Sequence, residues 1–295
     1  MTVQWARNGD VDLAYETFGS PGGEPLLLIT GQGAQMVAWT DEFCGLFAER
    51  GFHVVRFDNR DSGLSTHFTS ARKEHPLKKL LGRGTRPYTG ADLSDDAVAV
   101  VDAIGWSSAH VVGGSMGGTI GQATALRHPG RVRTLTSIGA PRGDRLRNVA
   151  AYANFRTLAR LSRLRPPRTD EEAIEQKVEI FRILGSPGYP FDEGRARWIA
   201  AECQARRPVD PTLYQRQSGA GWPGGSLHDI RVPTLVIHGE ADPMIRPRAG
   251  RAIANAIPGA RFVSYPGMGH DVLVGELWPS FIDEISALTA TTARQ

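Results

Sequence analysis

Six short apolar runs, Leu26–Ile29, His53–Phe57, His110–Val112, Leu135–Ile138, Leu235–Ile237 and Arg261–Tyr265, punctuate the chain, each bounded by Gly, Pro or Asp. Runs of this length between turn residues predict buried strands. Between several of them lie patterns of helical period. In the stretch 92–104, Leu93, Ala97, Val100, Val101 and Ile104 share one face, and in 248–257 Ile253 and Ile257 do the same. A strand, helix, strand rhythm leaves few architectures open: the strands run parallel and helices cover both faces of the sheet, an α/β fold. The opening stretch 11–18 alternates polar and apolar residues and predicts an antiparallel edge strand ahead of the parallel set.

The rhythm breaks between Pro141 and Pro223, where strand-like runs give way to helical patterns rich in Arg, Ala and Leu. Arg165-Pro166-Pro167 and the segment Gly185-Ser186-Pro187-Gly188-Tyr189-Pro190 interrupt them. This predicts a helical lid at 141–222 inserted into one core made of 1–140 and 223–295, a size that α/β folds reach as a single core. Residues 68–90, rich in Lys and Arg, read as a long surface loop. The net charge is only +3, yet residues 141–222 hold 15 Lys and Arg against 10 Asp and Glu. These basic residues are interspersed with acidic ones and no nucleic-acid motif accompanies them, which argues against nucleic acid as a partner.

With 41% hydrophobic and 22% charged residues the chain is neither disordered nor fibrous. Cys44 and Cys203 stand far apart without ligand spacing, so neither a disulfide framework nor a metal site is expected, and no cofactor fingerprint appears. The N-terminus lacks a basic and apolar leader, and no stretch approaches the ~18 apolar residues that span a bilayer. The expectation is a cytoplasmic protein with no membrane partner.

The most specific motif is Gly113-Gly114-Ser115-Met116-Gly117-Gly118, lying between the run His110–Val112 and a helical stretch through Thr119, Ala123 and Leu126. A Gly-x-Ser-x-Gly in a strand–turn–helix setting projects its serine beyond the sheet on a sharp turn, with the following helix N-terminus near any developing oxyanion. Alone the motif is weak, because a turn or N-cap serine has the same surroundings. A serine nucleophile needs a base within hydrogen-bond reach and a third group to orient that base. His238-Gly239-Glu240-Ala241-Asp242-Pro243 places Asp242 after one strand, and Gly267-Met268-Gly269-His270 places His270 after the next. In a parallel sheet the carboxyl ends of the strands share one side, so Ser115, Asp242 and His270 converge as nucleophile, acid and base. Glu240 is the alternative acid, and Asp271 is also near. His110 and His238, within or ending strands, read as structural. For an oxyanion hole the backbone N–H groups of Met116 and of Gln32, in the loop Thr30-Gly31-Gln32-Gly33, are the expected donors.

The ordered set Thr30-Gly31-Gln32-Gly33, Phe57-Asp58-Asn59-Arg60-Asp61-Ser62-Gly63, the Ser115 motif, the Asp242 loop and the His270 loop resembles the α/β-hydrolase superfamily along almost the whole chain. Within it the wording is similar to actinobacterial serine esterases related to the aclacinomycin methylesterases. The resemblance implies a carboxylic ester hydrolase working through an acyl-enzyme on a small-molecule ester, with a methylesterase of a bulky aromatic or polyketide-like ester as its sharper form. It also implies that Asp58 and Asp61 are structural. One departure is Thr30, where the family commonly has His before the glycine; it is expected to alter the pocket wall more than the backbone donor. Epoxide hydrolases and dehalogenases of the fold carry an aspartate at the Ser115 position, and proline iminopeptidases a tryptophan at Met116. Carbon–carbon bond hydrolases and cofactor-free perhydrolases share the same three residues and remain the alternative, with a non-catalytic ligand receptor behind them.

Overall fold

The computed structural model describes residues 2–68, 87–143, 151–208, 210, 212–222 and 224–292. The predicted surface loop therefore lies, over 69–86, outside the described residues. Eight strands form one sheet in the order β1-β2-β4-β3-β5-β6-β7-β8. They are β1 (Gln4–Asn8), β2 (Val11–Phe18), β3 (Glu24–Ile29), β4 (Phe52–Phe57), β5 (Ala109–Gly114), β6 (Val132–Ile138), β7 (Thr234–Gly239) and β8 (Arg261–Tyr265). From β4 to β8 every pairing is parallel, whereas β2 pairs antiparallel with both β1 and β4. The expected antiparallel strand at 11–18 is present, but it is not the edge: β1 covers it. Trp5 is exposed and only Ala6 of β1 is buried, so this strand is held by backbone pairing rather than by an apolar face.

Helices cover both faces. On one lie α2 (Gly90–Ala103), α3 (Met116–Arg127) and α8 (Arg248–Ala256); on the other lie α1 (Asp41–Glu49) and α9 (Trp278–Thr289). The period of two along the strands divides the core accordingly. Leu27, Ile29, Val55 and Val111 pack with Leu93, Val100 and Ile120, while Leu26, Leu28, Val54 and Val112 pack with Phe43, Phe47, Trp278 and Phe281. The Thr89 side chain starts α2 by a reciprocal capping box with Asp92.

Between β6 and β7 the chain leaves the sheet and forms α4 (Phe155–Leu161), α5 (Asp170–Leu184), α6 (Glu193–Arg206) and α7 (Leu213–Gly219). These helices sit over the carboxyl ends of the strands, tied there by buried ion pairs: Arg206 to Asp58 at 2.5 Å and Arg216 to Asp61 at 2.7 Å. No helix among the described residues is long and apolar enough to cross a membrane.

Candidate active site

The turn after β5 carries the serine. Ser115 has φ 53° and ψ −119°, a conformation that non-glycine residues rarely adopt, and its N–H donates to the Ile138 carbonyl at 2.8 Å. The turn is possible because glycines stand two residues to either side: a Cβ on Gly117 would collide with the Ile29 carbonyl oxygen, and one on Gly113 with that of Gly117. The strand-to-helix reversal thus packs directly on β3, and the serine Oγ is left at the rim.

Three sequence-predicted residues meet there. His270 Nε2 lies 3.0 Å from Ser115 Oγ, and His270 Nδ1 lies 2.8 Å from Asp242 Oδ2. A carboxylate oxygen can only accept, so Nδ1 carries the proton and Nε2 presents its lone pair to the serine hydroxyl. Asp242 is buried, and its Oδ1 accepts from the N–H groups of Met244 and Ile245, both at 2.8 Å. Burial alone would raise this carboxyl, but the His270 charge and hydrogen bonds from His238 and His270 outweigh it and hold it well below the usual carboxylate range. For His270, burial disfavours the imidazolium, yet the Asp242 charge and hydrogen bond, with Asp271 adding to them, leave its pKa raised. Glu240 is elsewhere: its carboxylate accepts from Ser264 Oγ at 2.7 Å. Burial raises the Asp271 carboxyl, which accepts from Ser186 Oγ at 2.9 Å rather than from the imidazole.

His238 is closer to the chemistry than its strand position implied. Its Nε2 donates to the Ile245 carbonyl at 3.0 Å and lies 3.3 Å from Asp242 Oδ2, so the acid faces an imidazole on each side. His110, by contrast, bonds Thr134 Oγ1 at 2.9 Å, away from the site, and burial pushes its pKa down to about 4.

Met116 follows the serine, and Gln32 lies in the loop after β3. Met116 opens α3, so its amide has no acceptor within the helix. Gly31, the residue before Gln32, lies against Ser115, where an added Cβ would stand 3.3 Å from the serine Cβ. The loop is clasped from above. Gln32 Nε2 donates to the Tyr214 carbonyl at 2.8 Å and to Ser218 Oγ at 2.6 Å, Gly33 N–H donates to Gln217 Oε1 at 2.8 Å, and Gln35 Nε2 donates to the Cys203 and Arg207 carbonyls, both at 2.9 Å. Thr30 is buried, and Asn59 Nδ2 donates to its Oγ1 at 3.2 Å. Asp58 and Asp61 are wholly buried. Asp58 Oδ1 accepts from Met36 N–H at 2.6 Å, and Asp61, with φ 69°, accepts from Phe68 N–H and Tyr88 Oη at 2.8 Å each. Among the described residues there is no group of three His, Cys, Asp or Glu arranged to hold a metal ion.

The family model of the alpha/beta hydrolase fold matches residues 24–277. The chain is 34% identical over 290 residues to the rhodomycin D methylesterase DnrP of Streptomyces peucetius, covering 92% of each protein. It is likewise 34% identical over 288 residues to the rhodomycin D methylesterase DauP of a Streptomyces species, again covering 92% of each. Among solved structures, the esterase RhEst1 from Rhodococcus sp. ECU1013 superposes with a TM-score of 0.74 at 20% identity, over 99% of this chain and 100% of that one, a likeness of fold.

Proposed function

The chain belongs to the alpha/beta hydrolase family, and from that premise we propose that it is a serine carboxylesterase whose nucleophile is Ser115, whose base is His270 and whose orienting acid is Asp242. The observation that carries this reading is the continuous relay of 3.0 and 2.8 Å from a strained serine through an imidazole to a buried carboxylate. His270 Nε2 takes the Ser115 proton as Oγ forms its bond to the ester carbonyl carbon, and Asp242 stabilises the imidazolium so formed. The Gln32 and Met116 amides donate to the oxygen that becomes negative. Collapse breaks the bond to the alcohol, which leaves with the proton from His270. Water, deprotonated by the same imidazole, then releases the acid and restores Ser115. The chemistry is carried by these side chains and draws on no metal or organic cofactor.

Residues 141–222 serve as a lid on a core of 1–140 and 223–295, a reading supported by the clasp of α6 and α7 on the Gln32 loop. The substrate is a small-molecule ester with a bulky ring-containing acyl group and a small alcohol such as methanol, met in the cytoplasm without a nucleic-acid or membrane partner. Similarity to two methylesterases supports this, as does the Tyr214 ring lying on Gly33 beside the oxyanion loop. Ser115→Ala is the test: it should abolish labelling by a fluorophosphonate probe and lower ester turnover by ~10⁴-fold or more with the fold intact. Labelling that persists at another serine would refute the assignment, and faster cleavage of a carbon–carbon substrate than of any ester would favour that alternative chemistry.

A further inference from the structure

Two glycine-punctuated segments meet beside His270: the turn that follows α5, Gly185 to Pro190, and the loop that follows β8, Pro266 to His270. Their backbones are in direct contact. A Cβ on Gly188 would lie 2.6 Å from Gly267 Cα, and one on Gly269 would collide with the Gly185 carbonyl oxygen, so no side chain fits along this seam. Hydrogen bonds close it. Gly188 N–H donates to the Gly267 carbonyl and His270 N–H to the Leu184 carbonyl, both at 2.9 Å. Ser186 Oγ accepts from Gly269 N–H at 2.7 Å and donates to Asp271 Oδ2 at 2.9 Å, while Asp271 Oδ1 accepts from Leu273 N–H at 3.0 Å. The Ser186 hydroxyl therefore bridges the residues immediately before and after the imidazole.

The position of β8 explains why such a seat is needed. Ser115 follows β5, which has a strand on each side, and Asp242 follows β7, which also has two neighbours; β8 is the sheet edge and pairs with β7 alone. A loop on an edge strand has only half the backbone support of its two partners, yet its side chain must meet both at hydrogen-bond distance. Displacement of a reacting group by about 1 Å can cost on the order of 10²-fold in rate.

From these contacts we propose that Ser186 is a positioning residue for His270, and that the turn 184–188 is a fixed part of the catalytic machinery rather than a removable cover. The inference rests on the role given to His270 above. Ser186→Ala should lower both kcat on a methyl ester and the rate of fluorophosphonate labelling by about tenfold, with KM changed less than about twofold, and Ser186→Thr, which keeps the hydroxyl, should recover most of the loss. In proton NMR the far-downfield signal of the His270 Nδ1–H, present in the wild type, should broaden or vanish in Ser186→Ala. That signal needs no substrate, so it reads the seat even if the chain hydrolyses no ester. Wild-type labelling together with an unchanged downfield signal in Ser186→Ala overturns the proposal. Should Ser186→Ala not fold, Asp271→Asn removes the anionic acceptor while keeping the shape; wild-type kcat and an unchanged signal in that variant overturn it equally.

Discussion

The sheet and the helices above it are held in place by different forces. Val111, Val112, Leu235, Val236 and Ile237, which support the loops of Ser115 and Asp242, are sealed in two large apolar layers. The segment between β6 and β7 meets the core through a small apolar cluster, Ile199 and Cys203 on Val37, through Tyr189, Ala220 and Trp222 at the margins of the two layers, and through charged and amide groups that reach the loops after β3 and β4. Apolar burial is non-directional and tolerates exchange of one hydrophobic residue for another of similar volume, whereas a buried ion pair fails when either member is lost. The serine and its acid thus stand on the tolerant half of the molecule, while access, specificity and the seat of His270 depend on the half whose attachment is directional.

Asp242→Asn breaks the comparison hardest, because it removes a charge from the apolar half. We expect kcat to fall about 10⁴-fold with no loss of fold, while Glu240→Gln changes it by less than about twofold. The pH profile gives the same residue a second test. Only neutral imidazole accepts the serine proton, and Asp242 and Asp271 raise the His270 pKa, so wild-type kcat/KM should climb with pH along a limb centred above ~6.5. In Asp242→Asn the raising charge is gone and the limb of the residual activity should move to lower pH. A wild-type limb centred below ~6.5, or a crippled Glu240→Gln beside an active Asp242→Asn, would overturn the acid assignment.

The directional half is probed by Arg206→Leu. Asp58 then keeps its backbone donors but loses its cation in a site where burial already raises its pKa. Stranding a buried carboxylate costs roughly 3–5 kcal/mol, which a calorimeter should read as a fall in Tm of about 10 °C. Removing the exposed partner Arg160 of Glu179 should shift Tm by less than about 1 °C, and equal shifts for the two variants would erase the distinction between the two kinds of attachment.

The same division governs what could be read from the sequence. The strands from β2 to β8, the serine elbow and the order of Ser115, Asp242 and His270 are local signals, written as apolar runs followed by glycine turns. Gln4–Asn8 carries no such alternation, because its partner is the backbone of β2, and so β2 reads as an edge that it is not. The α1 helix is obscured by Gly45 in its middle. Nothing local marks Gln217, Ser186 or Arg206 either: two are polar residues on helices and Ser186 lies in a turn, and the partner of each lies 83 to 184 residues away on the core. The second imidazole on Asp242 was hidden for a related reason, since His238 ends a buried strand and only the return of the chain at Ile245 turns it toward the acid.

The smallest effect concerns the rings of the helical half, and the structure narrows which of them can matter. Of the eight aromatic residues between 141 and 222, Trp222 packs against the sheet layer of α2 and Tyr189 against that of α9, so both serve packing. Phe155 and Trp198 are the most exposed, while Phe191 and Tyr214 are each 38% exposed; Arg182 lies over the Phe191 ring and Arg248 over that of Tyr152. Phe181 packs on the cluster of Val37, Ile199 and Cys203, as does Leu273 of the loop after His270, and Tyr214 lies on Gly33 of the loop that carries Gln32. A flat acyl group entering between those loops would stack on these two rings, and such a ring contact contributes about 0.5–1.5 kcal/mol beyond the area it buries. The methyl ester of a polycyclic aromatic acid should therefore exceed methyl butyrate in kcat/KM by at least about tenfold, and Tyr214→Ala should remove most of that advantage while leaving methyl butyrate within about twofold. Because Gln32 bonds the backbone carbonyl of residue 214 and not its ring, the substitution leaves that clasp in place. Equal turnover of the two esters by the wild type would sink the ring-containing substrate and leave an esterase of broad acyl range; a preference that survives Tyr214→Ala would shift the stacking surface to Phe181.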